Sequence, residues 1–312
     1  MAGPSVAVTG GTGFVGRAVV RALLGRGARP SLLKRPGRDL RRPREAGRLV
    51  ADVVKAGGRV VEGDVHDPGA LAELVAGASC VIHLVGLIRE RVREGQTFER
   101  VVVEGIRATV HAARAGGVRR LVLMSALGAD PASPLPYPRT KGLSEQVAAQ
   151  AGFDELVIFR PSVIYGPGDG FVNTLARFLR KSPVFPIFGD GAYRLQPVSV
   201  DVVAEAVAQA ATASPGRAGV RIYDVGGPQT LSYRQLLEVL AQVLRRRVLW
   251  VSVPLGLARL VASAGQHLPG FPITRQQLEL LVMGSVGDAR PFYEEFRVPE
   301  IGFEEGVRAW LA

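Results

Sequence analysis

The chain places a tyrosine and a lysine four positions apart, in the run Tyr137-Pro-Arg-Thr-Lys141. A spacing of four puts two side chains on the same face of a helix. A phenol, with an ordinary pKa of about 10, becomes a better proton carrier when a cation beside it lowers that pKa. The spacing is also common by chance, so a surface tyrosine beside a surface lysine is the alternative interpretation. The run predicts a candidate proton-transfer pair.

Three glycines near the start of the chain form a second pattern, Gly10-x-x-Gly13-x-x-Gly16. An apolar strand pattern precedes them and an amphipathic helix pattern follows them. Glycine in such a turn lets a pyrophosphate approach the backbone and lets the helix pack on the strand. The helix N-terminus also offers unpaired N–H groups to the phosphates. A generic strand-to-helix turn is the weaker alternative, and the motif predicts a dinucleotide site.

The end of the second predicted strand bears on which dinucleotide is bound. An acid there binds the ribose hydroxyls of NAD, whereas a basic residue accommodates the 2′-phosphate of NADP. The strand ends in Leu33-Lys34-Arg35, and no acid follows before Asp39. Arg35 can bind a phosphate through charge-assisted hydrogen bonds, and Arg17 behind the glycine turn can add a second contact. The sequence therefore favours NADP(H), with NAD(H) as the alternative.

The elements that position these residues alternate along the first half of the chain. Strand patterns lie at 5–9, 29–34, 59–62, 79–85, 120–125, 156–160 and 221–225, and helix patterns at 14–26, 45–57, 68–76, 96–115 and 139–150. Several strands are continuous apolar runs, which is typical of strands buried on both faces of a parallel sheet. The alternation predicts an α/β fold: a Rossmann doubly wound parallel sheet with a smaller, mostly helical C-terminal lobe.

The pattern changes after about residue 166. Further helices are predicted at 171–180, 201–212, 231–244, 254–266 and 275–283, and Pro/Gly-rich loops at 166–170 and 183–191. We expect a dinucleotide-binding domain at 1–165 that returns at about 195–228. We expect 166–194 and 229–312 to form a smaller substrate or partner lobe over the carboxyl ends of the strands, where ligands of such sheets bind.

Composition excludes several classes of function. The single cysteine, Cys80, cannot form an internal disulfide, and together with four scattered histidines it offers no metal site. The net charge of +11 suits a phosphate, an anionic membrane or an acidic partner. Aromatic residues are absent from the basic run at 34–48, so nucleic acid is not an expected partner. With no signal peptide pattern and no apolar run as long as a membrane span, we expect a cytoplasmic protein.

Several motifs, in their order along the chain, resemble the extended short-chain dehydrogenase/reductase family. They are Thr9–Gly16, Gly63–Val65, His83–Gly86, Tyr137-x-x-x-Lys141, Arg160–Pro167 and Gly189-Asp-Gly191. The run Met124–Asp130 and the C-terminal lobe are similar to the atypical branch of that family. This branch includes the NADPH-holding accessory subunit of respiratory complex I and bacterial epimerase/dehydratase-like proteins.

The resemblance implies a catalytic role for three residues. Tyr137 would be the general acid/base, and Lys141 would hold the nicotinamide ribose and lower the tyrosine pKa. Ser125 is the hydroxyl closest to the end of the fifth strand, where the family usually places a second group that polarises the substrate oxygen. Ala126 and Leu127 follow it, so the second hydroxyl is missing if either of them occupies the functional position.

The resemblance also implies which residues contact the cofactor. Asp64 and the adjacent backbone of Val65 would bind the adenine, although a strand-end Asp that caps the next turn is the alternative. His83 is expected to be a core histidine, because side chains alternate along a strand and His83 would point to the face opposite that of Leu84. The full set expected at the cofactor is Gly10, Thr12, Gly13, Phe14, Val15, Gly16, Arg17, Arg35, Asp64, Val65, Leu84, Val85, Gly86, Lys141, Arg160, Pro161 and Val163.

Two prolines bear on the geometry of the candidate pair. Tyr137 lies between Pro136 and Pro138, and a residue before proline is turned away from helical geometry. Because Pro138 suits the first position of a helix, we expect Tyr137 just outside the first turn, where the pair would be aimed differently.

Together these patterns predict an NADP(H)-binding short-chain dehydrogenase/reductase-like oxidoreductase acting on a carbonyl or quinone-type substrate. A non-catalytic NADPH-holding subunit or assembly factor of a respiratory-type complex is the alternative, and a nucleotide-sugar epimerase or dehydratase is a weaker one. The apolar run Pro254–Ala264 has Arg259 as its single charge. It predicts either a core helix or a peripheral contact with a protein partner or an anionic membrane, aided by Arg245–Arg247.

Overall fold

The computed structural model describes residues 3–36, 43–214, 218–266, 271 and 273–311. The strands are β1 (Ser5–Thr9), β2 (Arg29–Lys34), β3 (Arg59–Glu62), β4 (Cys80–His83), β5 (Arg120–Met124), β6 (Glu155–Pro161), β7 (Ile164–Tyr165), β8 (Val184–Phe188), β9 (Arg194–Leu195), β10 (Val198–Ser199), β11 (Gly219–Val225), β12 (Leu231–Ser232) and β13 (Leu249–Val253).

The α-helices are α1 (Phe14–Gly25), α2 (Pro43–Lys55), α3 (Pro68–Val75), α4 (Gly105–Ala115), α5 (Pro136–Gln150), α6 (Val172–Lys181), α7 (Val200–Thr212), α8 (Tyr233–Val243), α9 (Leu255–Gly265), α10 (Arg275–Met283), α11 (Arg290–Phe296) and α12 (Phe303–Leu311). A π-helical turn, Glu99–Glu104, leads directly into α4. The chain divides into two compact units.

The first unit comprises the chain up to Pro161 together with Asp201–Asp224 and Pro291–Val298. Its seven strands form one parallel sheet in the order β11-β6-β5-β4-β1-β2-β3. The predicted Rossmann-type α/β fold is therefore confirmed. The strand order reverses between β1 and β4, and in a doubly wound sheet the carboxyl ends of the strands at such a point form the ligand crevice.

Buried apolar side chains from both the strands and the helices hold this unit together. One cluster joins Val81, Leu121, Leu123 and Leu156 of the central strands to side chains of α3 and α4, among them Leu71, Leu74, Ile106 and Ala113. The continuous apolar runs of β4 and β5 are buried along their whole length. This burial is what a parallel strand covered on both faces requires, and it fixes the strand ends that carry the candidate site.

The second unit comprises Ser162–Val200, Val225–Arg290 and Pro299–Ala312. Three two-stranded ladders, β7 with β10, β9 with β12, and β8 with β13, lie among α6, α8, α9, α10 and α12. Its core contains the fully buried aromatic residues Tyr165, Tyr233 and Phe303. The segment Pro291–Val298, which the sequence analysis assigned to the smaller lobe, groups with the first unit instead.

Some predicted elements differ from the structure. The predicted loop at 183–191 is wrong, because its residues 184–188 form β8, which pairs in parallel with β13. The missed ladder joins two short segments that 60 residues of chain separate, so its pairing is non-local. The helix predicted from 139 begins at Pro136, so the placement of Tyr137 outside the first turn is also wrong.

Candidate dinucleotide-binding and proton-transfer site

The glycine turn joins β1 to α1 in a corner that leaves no room for side chains at two of its positions. Gly10 has a φ of 74°, and a Cβ on it would lie 3.0 Å from the Leu84 carbonyl carbon. A Cβ on Gly16 would lie 2.1 Å from the Gly10 carbonyl oxygen, so only glycine lets α1 pack this closely. A Cβ on Gly13 would meet only that same oxygen, at 3.2 Å. Space for a ligand therefore lies beside Gly13.

The first turn of α1 fits a pyrophosphate. Gly13 is the N-cap residue and supplies no side chain to the helix end, and the first turn contains no acidic residue. The Arg17 N–H donates to the Gly13 carbonyl oxygen at 3.0 Å. The N–H groups of Phe14, Val15 and Gly16 precede this first bond of the helix ladder, and such groups favour an anion, as does the positive end of the helix dipole.

Two arginines flank the turn in different ways. Arg17 is buried, and its guanidinium donates to the Thr12 carbonyl oxygen at 3.3 Å. Arg35 follows β2 and is exposed. Both residue placements are compatible with a contact to a cofactor phosphate, and their roles there stay predictions. Asp39, the first acid after the strand in the sequence, lies outside the described residues.

Sequence reasoning missed an acid beside the end of β2. Lys34 pairs in register with Glu62 of β3, and its Nζ lies 3.0 Å from Glu62 Oε1. The charge of Lys34 is thus matched by a neighbouring carboxylate. The signal was present in the sequence, since Glu62 ends the third predicted strand as Lys34 ends the second.

The residues expected at the adenosine lie at the ends of β3 and β4. Asp64 Oδ1 accepts a hydrogen bond from the His66 N–H at 3.2 Å, which is the turn-capping contact given above as the alternative. Val65 is buried in the apolar core, so only its backbone is available to a ligand. Leu84 and Val85 are half-buried directly after β4. Binding of adenosine by these residues stays a prediction.

Lys141 lies at the carboxyl ends of β4 and β5. It is only 5% exposed, and its Nζ donates to the Met124 carbonyl oxygen at 2.9 Å. A Cβ built on Gly86 would lie 3.3 Å from the same Nζ, so the ammonium reaches across both strand ends. Burial lowers the pKa of Lys141 from 10.5 to about 8, and the Glu145 carboxylate opposes that shift.

Tyr137 stands one helical turn before Lys141 on the same face of α5. Its ring is half-buried and makes an edge-on contact with Phe98, with 5.9 Å between ring centroids. Desolvation raises the pKa of Tyr137 to about 12, so the lowering of this pKa that was expected from Lys141 is not found. The Thr140 hydroxyl donates to the carbonyl oxygens of Pro136 and Tyr137, which secures this first turn.

The segment after β5 carries one buried hydroxyl. Ser125 is 3% exposed, and its Oγ has no hydrogen-bond partner among the described residues. Its N–H donates to the Phe159 carbonyl oxygen and that of Leu127 to the Pro161 carbonyl oxygen, so the segment continues along β6. Ala126 is buried between them. A buried hydroxyl without a partner is unusual in a folded protein, which makes Ser125 a candidate ligand-binding group.

Glu145 is the residue of α5 that the sequence analysis did not find. Its carboxylate binds the Arg160 guanidinium at both oxygens, with distances of 2.9 and 2.6 Å. Because Arg160 is held in this way, its side chain anchors α5 to β6. The expected contact of Arg160 with the cofactor stays a prediction. The spacing 137–141–145 places all three α5 residues on one face, a signal that could have identified Glu145.

His83 occupies the core position expected for it. Its Nδ1 lies 2.9 Å from Thr9 Oγ1, and its ring is 1% exposed. Burial, reinforced by the charge of Lys141, lowers the pKa of His83 to about 3, so the imidazole is neutral. Val163 lies in the second unit, where its carbonyl oxygen accepts from the Val198 N–H. The geometry does not assign Val163 a cofactor contact.

Searches for two other kinds of site were negative over the described part of the chain. No helix there is long and apolar enough to cross a membrane. No group of three or more histidine, cysteine, aspartate or glutamate side chains there is placed to hold a metal ion.

The doubly wound sheet and the glycine turn are together typical of dinucleotide-binding proteins. The model of the NAD dependent epimerase/dehydratase family matches residues 6–226, and the chain belongs to this family. The resemblance to extended short-chain dehydrogenases/reductases is thereby confirmed, and with it an NAD(P)-binding Rossmann fold.

Two curated relatives and one solved structure are similar to the chain. The ceramide reductase of Caulobacter vibrioides is 41% identical over 58% of this chain and 53% of the relative. Subunit 9 of the NADH dehydrogenase (ubiquinone) 1 alpha subcomplex of Arabidopsis thaliana is 29% identical over 87% of this chain and 66% of the relative. The chain thus spans between about half and two thirds of the length of these relatives.

The structural comparison shows the shared fold. MoeE5 in complex with UDP-glucose and NAD matches with a TM-score of 0.74 over 99% of this chain and 97% of that chain, at 21% sequence identity. Other proteins named as reductases are among the relatives of the chain.

Proposed function

We propose that this protein is an NADP(H)-dependent reductase in which Tyr137 delivers a proton to the oxygen of a carbonyl or quinone-type substrate. One observation carries the proposal. The buried ammonium of Lys141 bonds to the Met124 carbonyl oxygen beside Gly86, one helical turn after Tyr137. This brings a phenol and a cation to the strand ends at which doubly wound sheets bind their ligands.

The dinucleotide would be held by the backbone of the glycine turn and by the first turn of α1. The space beside Gly13 and the uncapped N-terminus of α1 suit a pyrophosphate. Lys141 would donate to the nicotinamide ribose. When bound, the reduced nicotinamide supplies the hydride that converts a carbonyl carbon to that of an alcohol.

The protein residues would then manage the proton. The phenol of Tyr137 is protonated at neutral pH and would donate its proton in the reaction. Once the proton has moved to the substrate oxygen, the positive charge of Lys141 would stabilise the phenolate. The unpartnered Oγ of Ser125 supports a second hydrogen bond to the same substrate oxygen.

The preference for NADP(H) over NAD(H) is supported by the basic residues around the turn. Arg35 stands directly after β2, where a 2′-phosphate is met in this fold. Arg17 is buried against the turn and would add positive charge. A charge-assisted hydrogen bond to a phosphate contributes about 1.5–3 kcal/mol, enough to set the preference.

The substrate class is supported by the relatives. The ceramide reductase is named for reducing a ceramide, and its similarity to 58% of this chain favours a reductase with a lipophilic carbonyl substrate. Because the chain spans about half of that relative, the identity of the substrate is itself part of the proposal. Nucleotide-sugar chemistry is the weaker alternative, since the sugar-nucleotide enzymes match in fold at low identity.

A non-catalytic role is the second candidate. The complex I subunit is similar to 87% of this chain, and Ala126 and Leu127 follow Ser125 where the family usually places a second hydroxyl. In such a role a bound dinucleotide would stabilise the fold by mass action and the Tyr137 hydroxyl would be dispensable.

The two candidates are separated by a reductase screen on the whole protein. Ketones and quinones of increasing chain length are offered with NADPH or NADH, and the loss of reduced cofactor is followed alongside the thermal unfolding midpoint. A reductase oxidises NADPH only with a substrate present and loses most of this activity in the Ser125→Ala variant. Stabilisation by NADPH with no turnover on any substrate would favour the non-catalytic role.

A further inference from the structure

The most apolar surface of the second unit lies on two consecutive elements, β13 and α9, and on β8, which pairs with β13. On α9 the buried residues are small: Ala258, Ala262 and Gly265. Its large apolar residues point outward, with Leu257, Leu260 and Val261 exposed by 52%, 68% and 49%. A surface helix normally has the reverse arrangement, large apolar residues inward and polar residues outward.

The ladder of β8 and β13 repeats this arrangement. Val184 pairs in register with Leu249 and Pro186 with Val251, so each pair lies on one face of the ladder. All four residues are exposed, while Phe185 and Ile187 on the opposite face are buried. We call Val184, Leu249, Val251, Leu257, Leu260 and Val261 the outer apolar residues.

The small residues of α9 hold it against the end of the same ladder. Ala258 and Ala262 form a cluster with Leu278, against which Phe188 and Val253 pack. Pro254 alone separates β13 from α9. The outer apolar residues are therefore carried by a single compact part of the fold, and large exposed apolar areas on a folded protein usually mark an interaction surface.

Basic residues stand at the start of both strands. Lys181 lies three residues before β8, and Arg245, Arg246 and Arg247 lie just before β13, and all four are exposed. Because the two strands are parallel and start at paired residues, Val184 and Leu249, these four charges meet at one end of the ladder. The acids of the neighbouring helices are already ion-paired, Glu238 with Arg234 and Glu279 with Arg259.

Arg245 occupies a backbone position at which glycine is the usual residue. Its φ is 53°, and the N–H groups of Arg245 and Arg246 bond to the carbonyl oxygens of Gln242 and Ala241. This is the Schellman ending of α8, in which glycine avoids the strain of a side chain. Arg245 adds a charge at this helix end where glycine would add none.

We infer that this part of the protein docks on an anionic lipid bilayer, with the outer apolar residues entering the interfacial region and Lys181 and Arg245–Arg247 lying over the lipid phosphates. Apolar side chains beside a basic rim are the pattern of peripheral membrane contact, and each lysine or arginine near an anionic surface adds to the affinity. Both components of the pattern occur here within one unit. The docking does not depend on the proposed reductase activity.

Flotation with lipid vesicles tests this inference on the full chain. Vesicles of phosphatidylcholine alone are compared with vesicles that also contain phosphatidylglycerol, at low and at moderate salt. We expect the protein to float with the anionic vesicles at low salt and less at moderate salt, because salt screens the arginines. Absence of flotation with anionic vesicles at low salt would overturn the inference.

Matched variants separate the two parts of the contact. Leu260→Glu should weaken vesicle binding by about tenfold or more, whereas Val54→Glu, at an exposed valine of α2, should not. Replacing Arg245, Arg246 and Arg247 by Gln should weaken binding by about a hundredfold at low salt. The control replaces Arg21, Arg107 and Arg119 by Gln and removes the same charge elsewhere. Equal losses in a variant and its control would contradict the inference.

Two further measurements cover folding and self-association. Thermal unfolding should show that Leu260→Glu leaves the fold intact, and Leu249→Ser provides a milder second variant of the same surface. Arg245→Gly should weaken vesicle binding by about fivefold without lowering the unfolding midpoint. Sedimentation without lipid that shows a dimer dissociated by Leu260→Glu, together with no vesicle binding, would assign the surface to a second copy of the chain instead.

Discussion

At the scale of single residues, the burial of the Lys141 ammonium determines its pKa. Lys141 carries an ammonium into a position that is 5% exposed, with a carbonyl oxygen as its described acceptor and Glu145 one turn further along α5. A buried cation costs free energy unless an opposite charge or hydrogen bonds compensate for the lost water. Perturbed pKa values of this kind cluster at functional sites, and the lowered pKa of Lys141 beside Tyr137 is consistent with that pattern.

The pKa of Lys141 predicts a specific dependence of stability on pH. Its folded-state value of about 8 lies below its ordinary value of 10.5, so between these values the unfolded chain binds more protons. The free energy of unfolding should therefore rise with pH across this window. At about 1.4 kcal/mol for each pH unit between the two values, the gain is about 3 kcal/mol.

Lys141→Met provides the comparison for this prediction. Its free energy of unfolding, measured by urea denaturation across the pH window between about 8 and 10.5, should lack the rise that the parent shows. The parent should therefore gain about 3 kcal/mol of stability relative to the variant across this window. Parallel pH profiles for the two proteins would show that Lys141 titrates normally. The variant should also bind NADPH more weakly, because it has lost the ribose anchor.

A second prediction at this scale concerns cofactor choice. Arg35→Gln should weaken NADPH binding by about tenfold or more, the loss of one charge-assisted hydrogen bond to a phosphate, and leave NADH binding unchanged. Titration calorimetry with both cofactors measures this. Arg119→Gln is the matched control. That exposed arginine lies at the amino end of β5, whereas the candidate site lies at the carboxyl ends of the strands. Equal affinity of the parent for NADPH and NADH would contradict the assignment.

At the scale of elements, two glycines in the turn between β1 and α1 have different roles. Gly16 is needed for packing, because its Cβ would lie 2.1 Å from a backbone oxygen, whereas Gly13 borders the space for the ligand. Gly16→Ala should therefore lower the free energy of unfolding by about 1–3 kcal/mol or more. Gly13→Ala should lower it by about 1 kcal/mol at most but should weaken NADPH binding strongly.

Gly25→Ala completes this series as a control on the same helix. No atom lies within 4 Å of a Cβ built there, so the substitution should leave the stability unchanged or raise it by up to about 1 kcal/mol. Chemical denaturation and fluorescence titration of the three variants test the division. If Gly13→Ala and Gly16→Ala affect folding and cofactor binding in the same proportion, the two glycines do not have separate roles.

The elements also show where reasoning from sequence succeeds. Apolar runs such as Leu121–Met124 identify the central strands, since nothing but burial on both faces explains them. The start of α5 was placed too late, because Pro136 occupies the first helical position and Pro138 the third, and a proline in either place needs no helix hydrogen bond. The β8–β13 ladder is missing from the prediction, since its pairing is set by packing within the second unit.

The site was predicted in outline and not in its contacts. The motifs identified the glycine turn, Tyr137 and Lys141. They did not reveal that Glu62 pairs with Lys34 or that Glu145 binds Arg160, because both pairs join different elements. A linear motif reports residues that neighbour one another along the chain. Partners contributed by another strand or helix become visible only when the sheet order and strand register are known.

At the scale of the whole molecule, the account joins a family assignment to one chemical step. The chain belongs to the NAD dependent epimerase/dehydratase family, and that family includes proteins with different reactions on one fold, so the fold alone does not choose among them. A reductase is favoured by Tyr137, which stands one helical turn before the buried Lys141 on α5. The central claim is therefore that Tyr137 is the proton donor of a reductase.

The measurement that tests this claim most directly is a single-turnover rate of NADPH oxidation for the parent and for Tyr137→Phe, with the NADPH dissociation constant of each. Tyr293→Phe, at a half-buried tyrosine of α11, is the control. We predict that Tyr137→Phe slows the step by about 10²–10⁴-fold, with the dissociation constant changed by less than about twofold, and that the control matches the parent. A Tyr137→Phe rate equal to the parent rate would contradict the account.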